Sequence, residues 1–219
     1  MSVALLATLL LGEPQAGLRW WEIAIFFVFL LLADTKLAEA QIGGSRVLSS
    51  MSIDLTVIAL FGPAVAASLE IASSLTRGFL LRRVPPRKAI FNAAMLSISA
   101  GIAGLVYHAL PWHNSYDSPA YLVALLVAII TYASCNRLLL SGIMSLDAHM
   151  PAPEIYRYNF SWSHLRSLMD VPFAAIVILL YMQAGIWTLL LGLAPVLVLY
   201  YADRLAQEMK QAHINSIAA

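Results

Sequence analysis

Three consecutive stretches decide the fold: DLTVIALFGPAVAASLEIASSL (Asp54 to Leu75), RGFLLRRVPPRK (Arg77 to Lys88) and AIFNAAMLSISAGIAGLVYHAL (Ala89 to Leu110). The outer two are long and almost free of charge, and a run of about 18 or more apolar residues marks a helix able to cross a bilayer. The middle one holds five of the thirteen lysines and arginines: Arg77, Arg82, Arg83, Arg87 and Lys88, with the rigid Pro85-Pro86 among them. Lys and Arg accumulate in cytoplasmic loops, so this turn is expected on the cytoplasmic side.

Working outward, the remaining loops fall into place. Pro111 to Ser118 has no Lys or Arg and reads as external, and Pro119 to Ser141 is the next span. Gly142 to Asp170, with Arg157 and Arg166, reads as internal. Val171 to Met182 and Ile186 to Tyr201 are joined by an external hairpin, Gln183-Ala184-Gly185, and the tail with Arg204 and Lys210 returns inside. In the other direction, Asp34 to Ile53, with only Lys36 and Arg46, is expected outside, and Trp20 to Leu32 is a further embedded segment. Ser2 to Leu11 is apolar but short for a core of ~30 Å. No basic residue precedes it and Glu13-Pro14-Gln15 is no small-residue cleavage site, so it is not read as a signal peptide. The expected fold class is an all-α integral membrane bundle of six to seven helices.

Composition agrees. The 219 residues are 61% hydrophobic and 11% charged, against about 25% charged in a soluble domain. The mean hydropathy is +0.79. A net charge of +1 gives no field for nucleic acid, so none is expected as a partner. The single cysteine, Cys135, excludes an internal disulfide and reads as a small packing residue.

Helices in lipid associate through close backbone contact and polar groups. Ala93, Ser97 and Gly101, with Ala100 and Gly104 beside them, place Ala89 to Leu110 at the bundle centre. Gly62, Ala66 and Ala67 serve the preceding helix, which Pro63 is expected to bend. Ionisable groups at membrane depth are functional candidates. Glu70, Asn92, Asn136 and Arg137 share a level by residue count, and a pairing of Glu70 with Arg137 through the asparagines is expected. That cluster serves either to lock three helices or to switch with ligand occupancy. On the external side, Asp54, Tyr107, Trp112 and His113 are the candidate small-ligand residues, although aromatic residues also line any membrane interface. Tyr156, Tyr158, Phe160 and Trp162, interleaved with Arg157, His164 and Arg166, read as a helix lying along the inner interface or as a plain connecting loop.

No Walker loop, GxGxxG, HExxH or metal-type CxxC is present, and the five histidines (His108, His113, His149, His164, His213) are scattered. Catalysis, a metal and a cofactor are therefore not expected of this chain. From Tyr201 onward the tail is a charged helix, with Leu205, Met209, Ala212 and Ser216 at alternating four and three spacing, as in a short coiled coil. A homodimer is the expectation. The end at Ser216-Ile217-Ala218-Ala219 falls mid-helix and reads as a cut in a longer protein.

Glu208 to Ala219, EMKQAHINSIAA, resembles the helix that opens the output domain of bacterial HD-GYP phosphodiesterases, through Ala212-His213, Ser216-Ile217 and Ala218-Ala219. Gly43-Gly44, Gly62-Pro63, Arg82 to Lys88, Phe91 to Ala94 and Asn136 resemble features of the sensor found ahead of HD-GYP and GGDEF domains. That sensor is in turn similar to the substrate-binding S components of vitamin uptake transporters. The resemblance implies residues 1–201 as a sensor in the bacterial inner membrane and 202–219 as a cytoplasmic linker helix to a missing output domain. It implies an unknown small-molecule ligand in the outer half and a signal carried to a cyclic di-GMP phosphodiesterase. The alternative is an uptake component for a vitamin-like solute.

Overall fold

A computed structural model describes residues 20–33, 41–42, 45–46, 50–113, 116, 118–148, 150–160, 167–168, 170–185 and 187. Among them are seven α-helices: α1 (Trp20–Ala33), α2 (Ser50–Phe61), α3 (Pro63–Thr76), α4 (Pro86–Ala109), α5 (Ala120–Ala148), α6 (Ala152–Phe160) and α7 (Asp170–Ala184). A two-residue antiparallel pair, β1 (Gln41–Ile42) with β2 (Ser45–Arg46), precedes α2. A π-helical turn, Arg77–Leu81, extends α3. Among the described residues three helices are long and apolar enough to cross a membrane: Pro63–Leu81, Pro86–Ala109 and Ala120–Leu146. The first short apolar segment, Gly43-Gly44, the span Ile186 to Tyr201 apart from Trp187, and the whole tail with Leu205, Met209, Ala212 and Ser216 lie outside the described residues.

The span expected from Asp54 to Leu75 is two helices, and that is the main correction. Gly62 takes φ 86° and ψ 173°, a backbone geometry open to glycine and strained for any side chain. Pro63 follows at the first position of α3, where its missing N–H does no harm. The chain does not merely bend here; it turns back. Ser52, near the start of α2, donates to Asp170 at the start of α7 (2.9 Å), while Phe61 at the end of α2 meets the ring of Tyr181 near the end of α7. The two helices are therefore parallel. α3 returns beside them toward the basic turn Arg82 to Lys88.

The other helices orient on this hairpin. Gly104 late in α4 touches Pro63 and Ala89 early in α4 touches Gly78, so α4 runs antiparallel to α3. α5 is antiparallel to α4 across the connection after Leu110. Glu22 of α1 accepts from Tyr181, and the Leu30 carbonyl faces Arg77, so α1 runs toward the basic end like α3 and α5. The ends that Asp34 to Ile53 joins thus lie toward the basic turn. This overturns the expectation that this segment and the basic turn lie on opposite sides.

Burial follows from these contacts. The 12 residues of α2 are ~18 Å long at 1.5 Å per residue, too short to cross a bilayer alone. The helix is nevertheless buried on nearly all its faces, as an apolar helix at the centre of a bundle should be. α4 is the second central element. Its small residues Ala93, Ser97, Ala100, Gly101, Ala103 and Gly104 are all buried, and its most extensive contacts are with α3 and α5. Phe26, Phe61 and Tyr181 pack edge to face and tie α1, α2 and α7 together at the end remote from the basic turn. Large apolar side chains also lie on the outside of the bundle: Val28, Leu80, Ile130, Leu138, Phe173 and Ile176 are exposed.

A Cβ at Gly104 would lie 2.7 Å from Pro63 Cβ and 2.8 Å from its Cα, against backbone that cannot yield. Gly104→Ala is expected to destabilise the detergent-solubilised chain by about 1–3 kcal/mol. Gly142→Ala, with nothing within 4 Å, should leave it unchanged or slightly more stable. Thermal unfolding of the two variants side by side checks this.

Candidate functional site

In one straight helix Asp54 and Glu70 would be ~24 Å apart. The fold-back at Gly62 instead brings the two carboxyl groups close enough to act on one another at the heart of the bundle. Both residues are 1% exposed. Arg77 reaches back along α3 from the π-helical turn, its Nη2 3.3 Å from Glu70 Oε2, and its Nη1 lies 3.5 Å from the Leu30 carbonyl of α1. Tyr132 of α5 donates its hydroxyl hydrogen to Asp54 Oδ2 (3.0 Å). Four elements therefore meet on one charged group: α1 through a carbonyl, α2 through Asp54, α3 and its extension through Glu70 and Arg77, and α5 through Tyr132.

Why does the chain place Arg77 here? Residues seven apart on a helix lie two turns apart on one face, so Glu70 and Arg77 share a stripe. The π-helical turn, closed by Arg82 N–H to the Arg77 carbonyl (2.8 Å), holds Arg77 inward while Phe79, Leu80 and Leu81 face out. Arg83 at φ 49° ends the turn. A buried ion pair this short of water is sensitive to loss of either partner, because the survivor is left as an uncompensated charge.

A second polar group lies nearer the basic end. Arg137 donates to Ser167 Oγ (2.7 Å) and interacts electrostatically with Tyr156 of α6. Asn136 Oδ1 and Ser141 Oγ are buried with no hydrogen-bond partner among the described residues. Asn92 is half-buried on α4. The expected grouping of Glu70 with Arg137 thus gives way to two groups, with Glu70 paired to Arg77. Its neighbours in sequence assign Arg77 to the basic loop. The seven-residue spacing to Glu70 was the signal that could have moved it inward.

The expected ligand residues also divide. Tyr107 is fully buried and donates to the His113 carbonyl (2.8 Å), which closes the end of α4. His113 Nδ1 lies 2.6 Å from the Leu110 carbonyl, and Trp112 is 45% exposed. These three share one end of the bundle. Asp54 does not join them, because α2 enters from the opposite end and carries Asp54 at mid-depth. His108 belongs with this aromatic end instead. Its Nε2, 3.0 Å from the Ile58 carbonyl, carries the hydrogen, since a carbonyl only accepts. The same carbonyl also accepts from Gly62 N–H (3.1 Å), so His108 adds a second hydrogen bond at the end of α2. Tyr116, half-buried beyond α4, has its phenol pushed up by burial, with its hydrogen bond to Tyr107 acting the other way.

α6 packs on α5 with Ile155 buried and Glu154 and Arg157 exposed, so the amphipathic inner segment is helical from Ala152 to Phe160. Trp162, His164 and Arg166 lie outside the described residues. No group of three or more His, Cys, Asp or Glu among the described residues could hold a metal ion.

Removing one partner of a buried ion pair costs about 3–5 kcal/mol. Arg77→Leu should do so, and Glu70→Gln in the same chain should recover much of the loss. A double-mutant cycle in detergent is expected to show Glu70 and Arg77 coupled by more than about 1 kcal/mol, and Glu70 and Arg137 additive within about 0.5 kcal/mol.

Comparison with known proteins agrees with a membrane chain of this kind. The MASE9 family model, which describes a membrane-associated sensor domain, matches residues 18–205. No curated protein and no solved structure matches.

Proposed function

The chain belongs to the MASE9 family of membrane-associated sensor domains, and from this premise we propose a multi-pass sensor of the bacterial inner membrane that controls a cytoplasmic output domain of the HD-GYP, cyclic di-GMP-hydrolysing class. The observation that carries the reading is the charged cluster Asp54, Glu70, Arg77 and Tyr132 buried where α1, α2, α3 and α5 meet. Charges at bilayer depth are costly, and a mere anchor has no use for them. A sensor does, because it needs two packings of similar free energy that an input can tell apart. A small ligand or the membrane itself supplies that input, and the aromatic end with Tyr107, Trp112 and His113 is the ligand entrance.

The hairpin supports an orientation. With the basic turn in the cytoplasm, the ends of α1 and α2 that flank Lys36 and Arg46 also face inward, in keeping with the distribution of Lys and Arg. α3 runs from the cluster through Arg77 directly into that turn. The signal leaves by the tail, where Leu205, Met209, Ala212 and Ser216 pair two copies of the chain. The sensor family supports this reading over that of a vitamin-like uptake component.

The test joins residues 1–219 to a cyclic di-GMP phosphodiesterase in cells and compares the nucleotide level with and without Arg77→Leu. Allosteric couplings of 1–3 kcal/mol correspond to about 5- to 150-fold, so a change of at least about 5-fold is expected with the protein still in the membrane fraction. An unchanged level would oppose the reading.

A further inference from the structure

Two apolar helices long enough to span meet at the basic turn: Pro63–Leu81 closes at Leu81, and Pro86–Ala109 opens at Pro86. Between and beside these ends stand Arg82, Arg83, Arg87 and Lys88, all exposed. The sequence holds no Asp or Glu from residue 71 to residue 116, so the turn carries no acid of its own to neutralise them. Large apolar side chains border the cations on both sides and are exposed as well: Phe79, Leu80 and Leu81 before them, Ile90 after them. The turn is also held in shape. Arg82 N–H donates to the Arg77 carbonyl (2.8 Å) and Val84 N–H to the Gly78 carbonyl (2.9 Å). A Cβ at Gly78 would lie 2.8 Å from that of Ala89, and Pro85-Pro86 stiffen the entry to α4. A guanidinium meets a phosphate through two parallel N–H donors, so arginines on a fixed backbone hold that group at little ordering cost. Resting on the sensor reading above, we propose that the turn Arg82 to Lys88 binds the headgroup of an anionic phospholipid of the phosphatidylglycerol type in the inner leaflet, and that the anionic content of that leaflet is an input this chain senses.

Charge decides the class of lipid. A zwitterionic headgroup brings its own ammonium group to a turn that carries four cations and no acid, whereas phosphatidylglycerol brings its phosphate without one. The apolar border favours a lipid over a soluble phosphate, because only a lipid has acyl chains to lay against Phe79, Leu80, Leu81 and Ile90. The π-helical turn joins this surface to the buried cluster. Arg77 at its start is directed inward to Glu70, while Phe79, Leu80 and Leu81 face out. A headgroup held at Arg82 and Arg83 favours the packing in which Arg77 faces Glu70, and its departure removes that preference. Because the two packings differ in their affinity for the lipid, the lipid shifts their populations.

Native mass spectrometry of the whole chain in mild detergent, with added phosphatidylglycerol or phosphatidylcholine of the same acyl chains, reads the binding directly. Each Lys or Arg at a membrane surface is worth about fivefold in affinity for anionic lipid. The unaltered chain should therefore prefer phosphatidylglycerol by at least about tenfold, and the combined variant Arg83→Gln, Arg87→Gln, Lys88→Gln should lose that preference. All three side chains are exposed, so the thermal unfolding of this variant should match that of the unaltered chain. Arg157→Gln removes an exposed cation of α6 and should keep the preference. In nanodiscs, amide hydrogen exchange from Arg77 to Lys88 should be slower with phosphatidylglycerol than with phosphatidylcholine, and equal for the two lipids in the combined variant. Equal retention of the two lipids by the unaltered chain, or an undiminished preference in the combined variant, would overturn the proposal. So would displacement of the lipid by inorganic phosphate at equal concentration, or exchange that ignores lipid charge. None of these measurements needs an output domain, so such a failure would leave the sensor reading standing.

Discussion

The contact of Arg77 with Glu70, two turns away on the same helix and sealed from water, is the constraint on which the rest of the structure depends. A guanidinium at this depth must be paired, and pairing it here fixes the rotation of α3 about its axis. That rotation turns the small face of α3 to α4 and sets Glu70 opposite Asp54. Asp54 then takes the hydroxyl of Tyr132 and so draws in α5. The Leu30 carbonyl at Arg77 places α1. Each helix that matters to the centre of the bundle touches this group or the hairpin that creates it.

The hairpin itself rests on two small-residue contacts and a histidine. Gly62 supplies the reversed backbone, Gly104 lets α4 approach Pro63 to within the thickness of a backbone, and His108 donates to the carbonyl at the end of α2. Lipid offers no hydrogen bonds to an interrupted helix, so such a break survives only inside protein. This explains why α2, a helix too short to cross, sits in the middle and not at the edge.

Much of the fold was legible from hydropathy and charge. The embedded runs at Trp20 to Leu32, Ala89 to Leu110, Pro119 to Ser141 and Val171 to Met182 correspond to α1, α4, α5 and α7, and the small residues of α4 are buried as expected. The site is less legible in the sequence, for a physical reason. Apolar length cannot tell a kink at Gly62-Pro63 from a reversal, and the sign of φ at a glycine leaves no mark on hydropathy. A kink keeps Asp54 and Glu70 far apart and sends Asp54 to the aromatic end. A reversal unites them. Arg77 was obscured by Arg82, Arg83, Arg87 and Lys88, which share its charge and not its burial: Arg77 is 6% exposed, while those four are on the surface.

The most direct test is a solid-state nuclear magnetic resonance measurement of dipolar contacts between carboxyl carbons and guanidino nitrogens, with the chain in lipid bilayers. A contact from the Glu70 carboxyl carbon to Arg77, lost in Arg77→Leu and retained in Arg137→Leu, is the predicted result. A contact from Glu70 to Arg137, or none to any arginine, would contradict the account.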